Sequence, residues 1–438
     1  MPKQIVAPPS KSFTHRAFIC AGLAFGESFI KNPLISDDTN RTRECLEKLG
    51  AIFTDLSDGV KVKGVGELKN FDVLLEFDVG ESGTTCRLLI PVVAASKKVE
   101  ARFYGRGRMH KRPVKDLTDV LEEMGVDFSW EENVGYLPFV MRSHGLDGRK
   151  VVIKLDQSSQ YLSGLLLASP FAKDKVEIEI GGEKAVSWPY VGITLEVMET
   201  FGQKVKVFEK KDNNWIETDY RSIKEVLPGR IKFIVEPRPY KAVEEYKIEG
   251  DWSNSSYFIA AGLILKDGIS IKGLKKDSLQ GDKKILKIIE EMGGRYFWEG
   301  ENLVIKPSNL KGTALDMGDC PDLVPTVGVL ATIAEGTTVI KNVAHLRLKE
   351  SDRLLGVASE IKKVGAHVEI LEDGLKITSK KMNNRGKILF NTYNDHRMAM
   401  SLSLYELLGF EVILDNKECV KKSFPDFFKV WENIKRSL

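Results

Sequence analysis

The sequence predicts an α/β protein of two lobes, each holding three copies of one helix-and-strand unit. Three observations predict it. First, helices rich in small and apolar residues recur six times at intervals of roughly 70–90 residues, at 16–24, 84–95, 161–168, 256–265, 323–334 and 397–408. Second, the copies share an internal order. A turn and strand signal follows the helix, as in GESFIKN, GGEKAV, DGISIKG and EGTTVIKN. Most copies then carry an amphipathic helix ending at glycine (TRECLEKLGA, LTDVLEEMGV, ITLEVMETFGQ, ILKIIEEMGG, VASEIKKVGA) and close with short alternating strands such as LKITS and NLVIKP. Third, the polar segment EPRPYKAVEEYKIEG at 236–250 separates the third copy from the fourth and reads as a crossover, dividing 13–240 from 241–438. Helices alternating with strands in a repeated unit give the α/β class.

Composition agrees. A chain of 438 residues is too long for one ordinary core, and 42% hydrophobic with 29% charged residues describes a globular protein with a substantial interior. The 65 Lys and Arg nearly balance the 62 Asp and Glu, for a net charge of +3, so a nucleic-acid footprint is not expected and any anionic ligands are small. Cys20, Cys45, Cys86, Cys320 and Cys419 are scattered, form no C-x-x-C pair and suit reduced thiols in the cytoplasm. The start MPKQIVAPPSKS lacks a signal-peptide pattern, and no apolar run approaches the roughly 20 residues that span a bilayer. A soluble cytoplasmic monomer is the expectation.

Taken in order, the apolar helices start on small or cap-forming residues: Ser10-Lys11-Ser12, Ser82-Gly83-Thr84, Ser158-Ser159, Ser253-Asn254-Ser255, Pro321-Asp322 and Asn394-Asp395. Capping explains any one of these, because the side-chain oxygens accept from orphan N–H groups of the first turn. Six equivalent helices imply more. Several N-termini directed into one cleft would offer free donors and partial positive charge to phosphates and carboxylates.

Basic residues stand beside these starts: Lys11 and Arg16, Arg87, Arg108 and Arg112 in GRGRMHKRPV, Lys349 and Arg353 in LRLKESDR, Arg397 in NDHRMAM, and Lys422 in KKSFPDF. Singly, each reads as a solvated surface charge. Their recurrence beside small-residue turns predicts anion pockets, in which the arginine fork binds two oxygens at once. Of the nearby acids, Asp352 and Asp395 read as caps and salt-bridge partners. Asp322 and Glu350 sit beside the predicted pockets and are the candidates for general base and acid. GESGTTCR lacks the spacing of a Walker phosphate loop, no G-x-G-x-x-G opens a helix after a strand, and His396 has no His or Cys at i+3 or i+4. Neither a cofactor nor a metal is expected.

The stretches PPSKSFTHRAFICAGLA, SGTTCRLL, GRGRMHKRPV, SSQYLSGLLLASP, GDWSNSSYFIAAGLI, KESDRL, YNDHRMAMSLSL and SFPDFF, in this order, resemble the 5-enolpyruvylshikimate-3-phosphate synthase family over nearly the whole chain. The resemblance implies a two-lobed inside-out α/β barrel with two crossovers, in which residues 1–12 belong with the C-terminal lobe. It also implies a reaction that joins the 5-hydroxyl of shikimate 3-phosphate to C2 of phosphoenolpyruvate and then expels phosphate. By motif, Lys11, Ser12, Arg16, Ser158, Ser159, Gln160, Ser187, Asp322, His345 and Lys349 would contact shikimate 3-phosphate. Lys11, Gly83, Arg108, Gln160, Arg353, Arg397 and Lys422 would contact phosphoenolpyruvate. Asp322 would accept the proton of the 5-hydroxyl, Glu350 would donate one, and Lys11 would act with them.

Two departures stand out. Many members carry Asn-Ala where this chain has Glu81-Ser82, and Asn where it has His345. Two related readings are weaker. The UDP-N-acetylglucosamine enolpyruvyl transferases use a loop cysteine that GRGRMHKRPV lacks, and RNA 3′-terminal phosphate cyclases would call for an RNA-binding charge pattern that is not seen.

Overall fold

The computed structural model describes residues 2–223, 226–380 and 385–436. Its α-helices are α1 (Lys11–Leu23), α2 (Asp37–Lys48), α3 (Gly83–Ala94), α4 (Lys115–Glu123), α5 (Gln160–Ala168), α6 (Pro189–Thr200), α7 (Trp252–Ile264), α8 (Ile285–Glu291), α9 (Val324–Ile333), α10 (Arg353–Lys362), α11 (His396–Leu402) and α12 (Phe427–Lys435). The odd-numbered helices are the apolar ones of the repeat, and the even-numbered ones are their partners. In α1 every residue from Phe13 to Leu23 is buried, and in α7 every residue from Trp252 to Leu263. A helix without a polar face has nowhere to meet solvent and becomes core. By contrast α4 buries only Leu117, Thr118, Val120 and Leu121.

Small residues let the inner helices approach closely. Gly164 of α5 lies so near α3 that a Cβ there would fall 2.3 Å from the Arg87 carbonyl oxygen. Buried hydroxyls find partners across helices, as the accounting of buried polar groups requires. Thr326 Oγ1 of α9 is 3.2 Å from Ser256 Oγ of α7 and 3.2 Å from Ser401 Oγ of α11.

The chain divides into two compact units, one running from Lys11 to Ile248 and the other holding the described residues up to Ser10 and from Glu249 onward. The first unit carries three sheets, whose strand orders are 245–247, 27–31, 59–63, 52–56; then 70–78, 98–104, 139–143, 126–130; then 214–217, 206–211, 231–235, 176–185, 150–155. Within the strand Lys98–Tyr104, Val99, Ala101 and Phe103 are buried, and Phe103 stacks on Phe77 and Phe139 of its neighbours at 4.9 and 5.6 Å. This is the one-sided alternation of a sheet with a single buried face. The second unit has sheets ordered 3–6, 269–272, 302–306, 295–299 and 314–316, 337–341, 375–378, 367–370, plus a parallel pair, 387–390 with 411–414.

The crossovers follow from an exchange of short strands. Lys3–Val6 precedes α1 in sequence but pairs in parallel with Ile269–Lys272, Ile5 opposite Ile271. Glu245–Lys247 precedes α7 but pairs in parallel with Glu27–Lys31, Tyr246 opposite Ile30. The boundaries expected at 12/13 and 240/241 therefore lie at 10/11 and 248/249.

Candidate active site

In the unit from Lys11 to Ile248, the predicted residues gather at the starts of α1, α3, α5 and α6. Lys11 opens α1, and its Nζ is 3.0 Å from Asp38 Oδ2 on α2. The Ser12 carbonyl accepts from Arg16 Nη1 at 3.0 Å. Arg16 itself is fully buried, and its remaining bonds go to neutral groups: Nε to Thr194 Oγ1 at 2.7 Å, Nη2 to the Tyr190 carbonyl at 3.1 Å and to Ser163 Oγ at 3.4 Å. Burial pulls its pKa down to about 10, which leaves it charged at neutral pH. Arg16 thus fixes α1 to α5 and α6 with its charge unneutralised by any of these four partners.

Ser82 caps α3, accepting from Thr85 N at 3.1 Å. Gly83 follows, and a Cβ there would fall 2.3 Å from Arg112 Nη2, so only glycine admits this guanidinium against the helix start. Of the predicted loop arginines Arg108 and Arg112, Arg112 is buried on Gly83, whereas Arg108 is exposed on the 3-10 turn Gly107–Lys111. At the start of α5, Ser158 and Ser159 are buried and Gln160 is the first helical residue. Arg87 of α3 reaches over to them, donating from Nη1 to Gln160 Oε1 at 3.2 Å and Ser158 Oγ at 3.3 Å, while Gln160 Nε2 donates to Thr84 Oγ1 at 2.9 Å. Ser187, before α6, is buried with φ +56°, a left-handed backbone unusual for serine. Glu81 lies against the Arg108–Arg112 loop: a Cβ on Gly107, φ +54°, would fall 2.3 Å from its Oε1. Cys86, in the same helix, is core; burial pushes its thiol up to about 12, so it is no nucleophile.

The second unit collects the acids. Arg353, at the start of α10, is almost wholly enclosed and binds three carboxylates: Asp395 Oδ2 from Nε at 2.7 Å, Asp322 Oδ1 from Nη1 at 2.7 Å and Glu350 Oε2 from Nη2 at 2.8 Å. Arg397 Nη2 is 3.0 Å from Asp322 Oδ2, and its Nη1 donates to Ser253 Oγ of α7. Lys349 Nζ lies 4.0 Å from Asp322 and Lys422 Nζ 3.8 Å from Glu350. Burial alone pushes the Asp322 carboxyl up, but Arg397, Lys349 and Arg353 together outweigh it, and Asp322 is held well below the usual carboxylate range. Asp395 caps α11 and also accepts from Ser351 Oγ at 2.9 Å, while Asp352 caps α10 through Leu355 N at 3.0 Å. The N-cap positions of the 3-10 turn Pro321–Leu323 and of α9 are Cys320 and Leu323, not Asp322. His345 is buried in the 3-10 turn Ala344–Leu348 that leads to Lys349.

His15, one turn after Lys11, was not a predicted site residue. It is fully buried, with Nδ1 2.7 Å from Thr42 Oγ1. Burial lowers its pKa to about 3; Asp38 opposes this, and Lys11 and Arg16 add to it. A histidine with a depressed folded pKa contributes stability above its unfolded value near 6.5 and loses it as pH falls toward the folded value. Wild-type stability should therefore decline between about pH 6 and pH 4 by up to roughly 1.4 kcal/mol per unit, and His15→Asn should lack that part of the slope. Urea titrations of both proteins across the range check it; parallel slopes would mean that His15 is not the group responsible.

A family model described as EPSP synthase (3-phosphoshikimate 1-carboxyvinyltransferase) matches residues 1–431. The chain belongs to the EPSP synthase family. It is 37% identical over 430 residues to the 3-phosphoshikimate 1-carboxyvinyltransferase of Methanococcus maripaludis strain C7, covering 98% of this chain and 95% of that one. It is also 37% identical over 435 residues to the protein of the same name from Actinobacillus pleuropneumoniae serotype 5b, covering 98% and 96%. In fold it is similar to the solved EPSP synthase of Acinetobacter baumannii, with a TM-score of 0.74 at 23% identity over 98% of this chain and 95% of that one. The enolpyruvyl transferase NikO from Streptomyces tendae gives a TM-score of 0.70 at 14% identity, over 99% and 94%.

Proposed function

We propose that this EPSP synthase family member is a 3-phosphoshikimate 1-carboxyvinyltransferase of the shikimate pathway. It transfers the enolpyruvyl group of phosphoenolpyruvate to the 5-hydroxyl of shikimate 3-phosphate and releases phosphate. The observation that carries the reading is the pair Asp322 and Glu350, two carboxylates set among Arg353, Arg397, Lys349 and Lys422. The reaction needs one group to take the hydroxyl proton as oxygen attacks C2 and another to protonate C3. As the C2–O bond to phosphate breaks, C3 must lose a proton again, so the donor is placed to take one back. Asp322 is assigned the first role and Glu350 the second.

With Arg397, Lys349 and Arg353 favouring its charged form, Asp322 by itself is a poor base. Substrate anions arriving at Arg397 and Lys349 cancel part of that field and return basicity to the carboxylate. Lys11, Ser12, Arg16, Ser158, Ser159, Gln160, Ser187, Asp322, His345 and Lys349 are assigned to shikimate 3-phosphate. Lys11, Gly83, Gln160, Arg353, Arg397 and Lys422 are assigned to phosphoenolpyruvate, with Lys11 as point charge or proton donor. Arg112 takes the place first given to Arg108, because its guanidinium lies on Gly83. Nothing in the reaction changes oxidation state, and these cations supply the charge neutralisation, so neither cofactor nor metal is called for. A cytoplasmic monomer acting on two small anions, without nucleic acid, completes the reading. Its five cysteines are all free, and no helix of the described residues is long and apolar enough to cross a membrane.

Purified protein given both substrates should release inorganic phosphate, with neither sufficient alone. Unphosphorylated shikimate should turn over far more slowly, since binding energy at a remote phosphate helps to orient the reacting hydroxyl. Phosphate release with UDP-N-acetylglucosamine but not with shikimate 3-phosphate would overturn the assignment.

A further inference from the structure

A buried chain of side chains joins His15 to the residue that holds Lys11 and to the start of α3. His15 Nδ1 is 2.7 Å from Thr42 Oγ1 on α2, and Thr42 Oγ1 is 2.8 Å from Thr85 Oγ1 on α3. Thr85 Oγ1 has two acceptors in reach, Ser82 Oγ at 2.8 Å and the Asp38 carbonyl at 3.1 Å. Asp38 is the residue whose carboxylate lies 3.0 Å from Lys11 Nζ, and Ser82 is the cap of α3, next to Gly83. The contacts close a ring from Lys11 through Asp38, Thr85, Thr42 and His15, and back along one turn of α1.

The chain has a direction. A hydroxyl has a single proton. Thr85 spends its own on Ser82 or on the Asp38 carbonyl, so it accepts from Thr42, and Thr42 accepts from His15 Nδ1–H. Every donor then points from His15 toward Asp38 and α3, and each bond polarises the next. His15 is thereby fixed as the Nδ1–H tautomer, and its Nε2 has no hydrogen-bond partner among the described residues. Apolar side chains of the same shapes would pack these helices equally well, since replacing both partners of a buried hydrogen bond by apolar groups costs little. What the polar chain adds is orientation. Lysine is a flexible point charge, and misplacing a reacting group by about 1 Å can cost on the order of 10²-fold in rate.

We propose that His15, Thr42 and Thr85 are positioning residues for the reaction: they fix Asp38, and through it Lys11 Nζ, relative to the Gly83 turn. The proposal rests on the assignment of Lys11 and Gly83 to phosphoenolpyruvate. Thr42→Val breaks the chain at its centre without changing shape, and Thr42→Ser keeps the hydroxyl but removes a methyl group. Thr42→Val should lower kcat/KM for phosphoenolpyruvate about 10-fold, the size of one buried hydrogen bond. Thr42→Ser should retain wild-type kinetics although its packing defect lowers the melting midpoint. Unchanged kinetics in Thr42→Val, or equal losses in both variants, would overturn the proposal. Should Thr42→Val fail to fold, Thr85→Val against Thr85→Ser breaks the next link and is read in the same way. Acetylation of Lys11 by acetic anhydride, followed by mass spectrometry against the exposed Lys97, needs no turnover. It should be faster in Thr42→Val than in wild type or Thr42→Ser, and equal rates in all three would sink the network even if the assigned reaction held. A wild type that releases no phosphate would instead count against the assigned reaction, whatever the labelling shows.

Discussion

Asp322→Asn is expected to lower kcat by on the order of 10²–10⁴-fold, the usual contribution of a general base, with KM for both substrates changed far less. The substitution is nearly isosteric. An asparagine oxygen can still accept from Arg353 Nη1, which reaches Asp322 Oδ1 at 2.7 Å, but the amide nitrogen is itself a donor, so the 3.0 Å contact to Arg397 Nη2 is lost. The anion-binding cations stay in place, so ground-state binding survives while the proton acceptor does not. An interaction that matters only in the transition state appears in kcat, whereas one that serves binding alone appears in KM. Steady-state kinetics on a sample with a wild-type melting profile decides the matter. Near-normal turnover would return Asp322 to a purely structural part in the Arg353 cluster.

The sequence revealed what each helix is for more readily than how the strands are shared. Helices α7 and α9, and α1 from Ala17 onward, are apolar or small on every face, which leaves them no environment but the interior. The repeat was visible for the same reason. The crossover positions were not, because they depend on Lys3–Val6 and Glu245–Lys247 pairing with strands distant in sequence, Ile269–Lys272 and Glu27–Lys31. Short polar stretches such as KQIV and EYK carry little information about which sheet they join.

At the site, the recurrence of arginine beside small-residue turns pointed to Arg353 and Arg397, and the structure sets them 2.7 and 3.0 Å from Asp322. The choice between Arg108 and Arg112 was not legible, since both lie in one loop and the short turn between them decides which reaches Gly83. The hydroxyl chain through Thr42 and Thr85 left no signal either, because threonines in helices are ordinary until three helices bring them together. Asp395 read as a cap and a salt-bridge partner, and it is both, capping α11 and pairing with Arg353.

Arg353→Met should destabilise the unit that contains it by about 3–5 kcal/mol at neutral pH, the cost of leaving buried charges without their partner. Methionine fills much of the space, so the loss is electrostatic rather than a cavity. Asp322, Glu350 and Asp395 would face one another without the guanidinium that joins them, and Asp395, fully enclosed, would lose its 2.7 Å contact to Nε. The pH dependence separates this from simple mispacking. In the wild type the depressed Asp322 carboxyl contributes stability above its unfolded pKa near 3.9, and that contribution is lost only as pH falls below it. In Arg353→Met, crowded carboxylates acquire raised pKa values, so their stability is present at low pH and lost as pH rises through the folded value. The gap between variant and wild type should therefore narrow as pH is lowered from about 7 to about 5. Arg353→Lys, which returns one charge but not the three-way fork, should recover part of the loss. Denaturant midpoints of the three proteins at both pH values test this, and a gap that stays constant with pH would mean that packing, not charge, is what Arg353 supplies.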